Sequence, residues 1–116
     1  MSFQLTGQVA VVTGGASGIG EACVRLLAER GARLVVADIN LEGAQAVAKS
    51  VNGIAAAVDV RSPPSIEALA KHVEANVGPA EIVICNAGVA QLPVPAEALS
   101  LEVWDRMHEI DLRGVF

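Results

Sequence analysis

Residues 13–20 read TGGASGIG, directly behind the apolar run Val9-Ala10-Val11-Val12. After the bend, Ile19, Ala22, Cys23, Leu26 and Leu27 recur at helical spacing, while Glu21, Arg25 and Glu29 face away. Gly31 supplies the stop. A strand therefore becomes a helix across a bend that carries almost no side chains. A helix start has unpaired backbone N–H groups and a partial positive charge. A diphosphate seats there only if no side chain blocks the backbone. Gly14 then permits the sharp turn, Gly18 lets the backbone approach phosphate, and Gly20 lets the helix pack close to the strand. Ser17 adds a hydroxyl donor.

The rest of the chain repeats the strand–helix alternation. Leu34 to Ala37 is an apolar strand stopped by Asp38, and Asn40 caps a helix with Ala44, Val47, Ala48 and Val51 inward. Ile54 to Val58 is a third strand, stopped by Asp59. Ser62-Pro63 opens a helix with Ile66, Leu69, Ala70, Val73 and Val77 on one stripe, broken by Gly78-Pro79. Ile82 to Cys85 is a fourth strand, stopped by Asn86-Ala87-Gly88. A loop with Pro93 and Pro95 leads to Ser100, which opens a last helix through Val103, Trp104, Met107 and Ile110. Strands that are continuous apolar runs are covered on both faces. The pattern predicts an α/β fold with a doubly wound, Rossmann-type parallel sheet and helices on each face. Its strand ends line one ligand-binding edge.

Asp38 ends the second strand, about 20 residues after the glycine motif, where a carboxylate holds the 2′- and 3′-hydroxyls of a ribose. The same carboxylate repels a 2′-phosphate, and neither Ser17 nor Ile39 is a cation that would offset it. The expected cofactor is NAD rather than NADP.

The bulk properties exclude other classes. The chain has 116 residues, enough for one small domain, of which 53% are hydrophobic and 18% charged. Net charge is −5 with the two signs interspersed, which argues against nucleic-acid binding. No apolar run reaches the ~18 residues of a membrane span, and Met1 to Thr6 lacks the pattern of a signal peptide. Cys23 and Cys85 form no CxxC pair and read as core thiols of a cytoplasmic protein. His72 and His108 have no companion ligands, so no metal site is expected. Glu102, Asp105, Arg106 and Glu109 read as a solvated face, and Trp104 as core or subunit interface.

The spacing Gly14-x-x-x-Gly18-x-Gly20, with Asp38, Asp59-Val60 and Asn86-Ala87-Gly88, resembles the short-chain dehydrogenase/reductase family from about Gly7 to Phe116. The resemblance implies that Gly14, Ser17 and Ile19 hold the diphosphate and adjacent sugar. Asp38 would bind the adenosine ribose with Ile39 beside the adenine, and Asp59 and Val60 would contact the adenine ring. Asn86, Ala87 and Gly88 would shape the edge under the nicotinamide-side ribose. Cys85 stands where the family usually has another Asn. The family's catalytic group is an Asn, a Ser and a Tyr-x-x-x-Lys pair. This chain has no tyrosine, and its two lysines, Lys49 and Lys71, precede the Asn-Ala-Gly motif. Asp111 aligns with the family Asn and is the one candidate for catalytic support. Family members pair as dimers or tetramers, so a homo-oligomer is implied.

Several residues keep two readings. Asp59 is a strand-ending cap or an adenine contact, and Asn86 is structural, ligand-binding or both. Val115-Phe116 carry no capping glycine, and the fourth strand is left at an edge. Residues 1–116 thus read as the N-terminal part of a single NAD-binding Rossmann domain, incomplete on its C-terminal side. The expected activity of an intact parent is hydride transfer between NAD(H) and a secondary alcohol or ketone, with the chain alone inactive. The alternative is a non-catalytic dinucleotide-binding module.

Overall fold

The structure is a computed structural model and describes residues 3–116; Met1 and Ser2, the start of the N-terminal stretch considered above, lie outside the described residues. The elements are β1 (Val9–Thr13), α1 (Gly18–Glu29), β2 (Arg33–Asp38), α2 (Leu41–Ser50), β3 (Ile54–Ala57), α3 (Pro63–Asn76), β4 (Ile82–Cys85) and α4 (Leu101–His108). A π-helical turn, Glu109–Arg113, continues α4. The strands form one sheet in the order β3-β2-β1-β4, and every pairing is parallel. Helices α1 and α2 cover one face and α3 the other, the doubly wound arrangement expected from the alternation.

The two faces of the sheet divide each strand's residues by parity. Ala10, Val12, Leu34 and Val36 pack with Val24 of α1 and with Ala44, Val47 and Ala48 of α2. Val9, Val11, Val35 and Ala37 pack with Val58 and with Leu69 and Val73 of α3. Central strands buried on both sides have no polar positions to spare, which explains their unbroken apolar sequence. The helix starts follow local chemistry. The Asn40 Oδ1 accepts from the Gly43 N–H, the Ser62 Oγ from the Ser65 N–H, and the Ser100 Oγ from the Val103 N–H.

Three sequence expectations change. In α1 the buried positions are Gly20 and Val24, with Cys23, Leu27 and Ala28 packed beside them. Ile19 is 77% exposed and Leu26 54%, and Ala22 also points outward. Ile19, Ala22 and Leu26 make an apolar stripe of helical spacing too. The inward stripe is chosen by Gly20, where the helix comes closest to the turn below it. In α3, Ala70 is exposed and the inward residues are Leu69 and Val73. On β4, Ile82 and Ile84 join the α1-side core, but Val83 and Cys85 face the α3 side and are exposed. Cys85 is therefore not a core thiol, because β4 is an edge strand and α3 does not reach over it. Among the described residues, no helix is long and apolar enough to cross a membrane.

Val36 is fully buried between α1, α2 and the sheet. Val36→Ala removes two methyl groups and leaves a cavity, so it should cost about 1–3 kcal/mol of unfolding free energy. Denaturant unfolding measures it; a loss under about 0.5 kcal/mol would contradict a closed core at this position.

Candidate functional site

The C-terminal ends of β1, β2, β3 and β4 open on one edge. The turn after β1 is fixed there by its neighbours. The Thr13 hydroxyl donates to Ile84 O at 3.4 Å and accepts from the N–H groups of Asn86 and Ala87, both at 3.1 Å. The Asn86 Nδ2 donates to Gly14 O at 3.1 Å. One side chain from each strand end thus ties the β1 turn to the Asn86-Ala87-Gly88 segment. From the other side, Ala16 N–H donates to the Asp38 carboxylate at 3.0 Å, and Gly15 N–H to Ala37 O at 3.2 Å.

The glycines follow from this crowding. Gly14 has φ +67, and a Cβ on it would lie 2.9 Å from both Ala87 Cα and Asn86 Nδ2. A Cβ on Gly20 would overlap Gly14 O itself. Gly20 is thus needed less for packing on the strand, as the sequence suggested, than for packing on the turn. Gly15 was missed by the sequence reading: a Cβ there would meet Val36 Cγ1 at 2.9 Å. Gly18, at φ +56, has open space around it at the start of α1.

The first turn of α1 differs from the other helix starts. Ser17 is the N-cap, but its hydroxyl makes no capping bond. The N–H groups of Gly18, Ile19 and Gly20 precede the first intrahelical donor, the bond from Glu21 N–H to Ser17 O. They lie at the positive end of the helix dipole, and of the three residues Ile19 reaches the cleft.

A cleft of about 480 Å³ occupies this edge. Its wall contains Gly14, Ser17 and Ile19 from the turn, and Asp38 and Ile39 from the end of β2. Asp59 and Val60, after β3, and Asn86, Ala87 and Gly88, after β4, complete the residues that the sequence had assigned to it. Gly18 and Gly20 are not on the wall: Gly20 is buried under the turn and Gly18 begins the helix behind it. Asp38 is half-buried, and its second oxygen accepts from Asn40 N–H at 3.0 Å. Both oxygens are thereby oriented, and each keeps a lone pair for a hydroxyl. The Asp59 carboxylate accepts from Arg61 N–H at 3.0 Å, so it caps its own turn while lining the cleft.

Val58, Arg61, Val89, Arg106 and Ile110 also line the cleft and were not singled out from the sequence. Arg106 is exposed, as the solvated-face reading has it, and one turn before Ile110 it also borders the cleft. Glu109 is half-buried and pairs with Arg61 (Nε–Oε2 3.2 Å), while Arg113 donates to Arg61 O at 3.2 Å. These bonds clip the turn after β3 to the π-helical turn. The pair is partly solvated and contributes under about 1 kcal/mol, so its effect is positional. Asp111 sits in the same π-helical turn, outside the cleft wall, and accepts from Val89 N–H at 2.8 Å. Among the described residues, no group of three or more His, Cys, Asp or Glu is arranged to hold a metal.

Residues 8–116 match the family model described as short chain dehydrogenase. The D-threitol dehydrogenase of Mycolicibacterium smegmatis is 44% identical over 119 residues, a match covering 98% of this chain and 45% of that protein. A solved structure of a 3-ketoacyl-(acyl-carrier-protein) reductase from Brucella melitensis, complexed with NADH, superposes with a TM-score of 0.93 at 32% identity, covering 97% of this chain and 47% of that one. A Brucella melitensis 16M structure described as ribose-5-phosphate isomerase superposes with a TM-score of 0.94 at 41% identity, covering 98% of this chain and 44% of that one. That such different names accompany one architecture means that activity must come from the site and not from the fold. The chain spans about half the length of these relatives. The match to the family model runs through nearly the whole chain and includes every element that walls the cleft, and the chain belongs to the short chain dehydrogenase family.

Proposed function

We propose that this chain is the cofactor-binding part, residues 1–116 of a single Rossmann domain, of an NAD-dependent oxidoreductase acting on a secondary alcohol or ketone. The observation that carries the reading is the uncapped start of α1 beside a cleft whose wall includes Asp38. The residues fit a dinucleotide. The bare turn leaves the space a side chain would fill, and the free N–H groups of Gly18, Ile19 and Gly20 suit a diphosphate.

Each residue then has a role. Gly14, Ser17 and Ile19 line the diphosphate seat, and Gly18 and Gly20 shape it from behind the wall. Asp38 accepts from the adenosine ribose hydroxyls, with Ile39, Asp59 and Val60 around the adenine. Asn86, Ala87 and Gly88 support the nicotinamide-side ribose while Asn86 holds the turn closed. Bound there, the dinucleotide supplies the hydride acceptor. Asp111 supports the site from behind by fixing Val89. The NADH complex of the similar Brucella reductase supports a nicotinamide cofactor. The family's proton-transfer group requires a tyrosine, and this chain has none; the 116-residue chain alone should oxidise no alcohol.

The choice of NAD follows from Asp38. A 2′-phosphate would be brought against an oriented carboxylate. The cations on the wall, Arg61 and Arg106, come from the turn after β3 and from α4, and Arg61 is occupied by Glu109. Unpaired Cys23 and Cys85 support a reducing, cytoplasmic setting. Exposed Leu101, Trp104 and Leu112 support self-association along the last helix.

Titration of the full-length protein should show NADH binding at least about tenfold tighter than NADPH, since one repulsive contact near 1.4 kcal/mol gives that ratio; equal affinities would sink the NAD assignment. Asp38→Ala should weaken NADH by about 10-fold or more, with loss of a charge-assisted hydrogen bond, and narrow the gap to NADPH. Gly20→Val should abolish binding of both while far-UV circular dichroism stays native, because it displaces Gly14; retained binding would contradict the seat.

A further inference from the structure

Asp111 places a negative charge behind one end of the cleft wall, and that end is identifiable from the sheet. Asp38 ends β2, the diphosphate seat follows β1, and β4 lies on the opposite side of β1 from β2. A dinucleotide with its adenosine ribose on Asp38 continues past the seat toward Asn86–Val89, after β4. Its nicotinamide half therefore lies at that end. There the Asp111 Oδ1 is 2.8 Å from Val89 N, and a Cβ on Gly88 would lie 3.1 Å from the same oxygen. The carboxylate thus stands against the back of two residues that wall the cleft. Among the described residues no ion pair involves it; the nearby Glu109 and Arg61 pair with each other, and Arg113 donates to Arg61 O.

We infer that Asp111 biases the site toward the oxidised cofactor, favouring the cationic nicotinamide of NAD⁺ over the neutral ring of NADH. The inference rests on the dinucleotide reading above. The two redox forms differ by one positive charge on the ring and share every other charge. A fixed carboxylate at that end acts on the difference alone. An asparagine would make the same bond to Val89 N–H through its own Oδ1 and carry no charge. Asp111 is exposed to solvent, so screening limits the effect to about 3- to 10-fold in relative affinity.

The test is a set of binding titrations of NAD⁺ and NADH on the full-length protein, its Asp111→Asn variant and its Asp111→Ala variant, at low and high salt. Asp111→Asn should raise the ratio Kd(NAD⁺)/Kd(NADH) by about 3- to 10-fold at low salt, and by less at high salt. Asp111→Ala should move the ratio the same way and also weaken both forms, because Val89 N–H loses its acceptor. A ratio unchanged in Asp111→Asn, or equal weakening of both forms, overturns the inference and leaves the dinucleotide reading standing. Failure of the wild-type protein to bind either form overturns both.

Discussion

The contact on which the site depends is the one between Asn86 and Gly14. It joins the ends of β4 and β1 through the amide of one and the carbonyl of the other. Gly14 O must find a donor somewhere, because a sharp turn takes it out of the helix and out of the sheet. Asn86 supplies it, Thr13 completes the junction, and Gly20 sits so near that only a hydrogen fits. The turn is then held from the β2 side by Asp38 and Ala37. It is fixed before any ligand arrives, so little conformational freedom is left to lose on binding. This arrangement also answers why Asn86 allowed two readings. The amide is structural toward Gly14, and its residue lines the cleft on the other side.

Charge is distributed in a way that the net value of −5 conceals. α2, α3 and α4 each spend a side-chain oxygen on their first turn, and α1 does not. On the proposed reading, the uncapped helix end would take a diphosphate on backbone N–H groups with no lysine beside it. Asp38 sits one strand away, where its charge is partly satisfied by two backbone N–H groups and where a sugar, not a phosphate, would meet it. Positive charge from Arg61 and Arg106 enters from the far wall, and the Arg61–Glu109 pair ties that wall to the last helix. The cleft is thus walled by elements widely separated in sequence, as the crevice at the strand ends of a doubly wound sheet is.

The fold was legible because its signals are local. Apolar runs, the caps at Asn40, Ser62 and Ser100, and the breaks at Gly31 and Gly78-Pro79 each fix an element without reference to the others. The strand-end residues of the cleft were legible too, since a parallel sheet brings them to one edge. What escaped was tertiary. The rotation of α1 depends on Gly20 meeting Gly14, so Ile19 and Leu26 were taken as inward and Val24 was overlooked. The exposure of Cys85 depends on β4 being at an edge beyond the reach of α3. Gly15 is needed because of Val36, 21 positions away in sequence, and Arg106 borders the cleft through the tertiary placement of α4, whose following π-helical turn meets Arg61. None of these is written in spacing alone.

The central claim is that the bare turn and Asp38 together seat a dinucleotide. A crystal structure of the full-length protein grown with NADH tests it most directly. The expected result is a diphosphate against the N–H groups at the start of α1, with the adenosine ribose hydroxyls within hydrogen-bond distance of the Asp38 carboxylate. A cofactor bound elsewhere, or lying in the cleft with Asp38 turned away from the sugar, would contradict it.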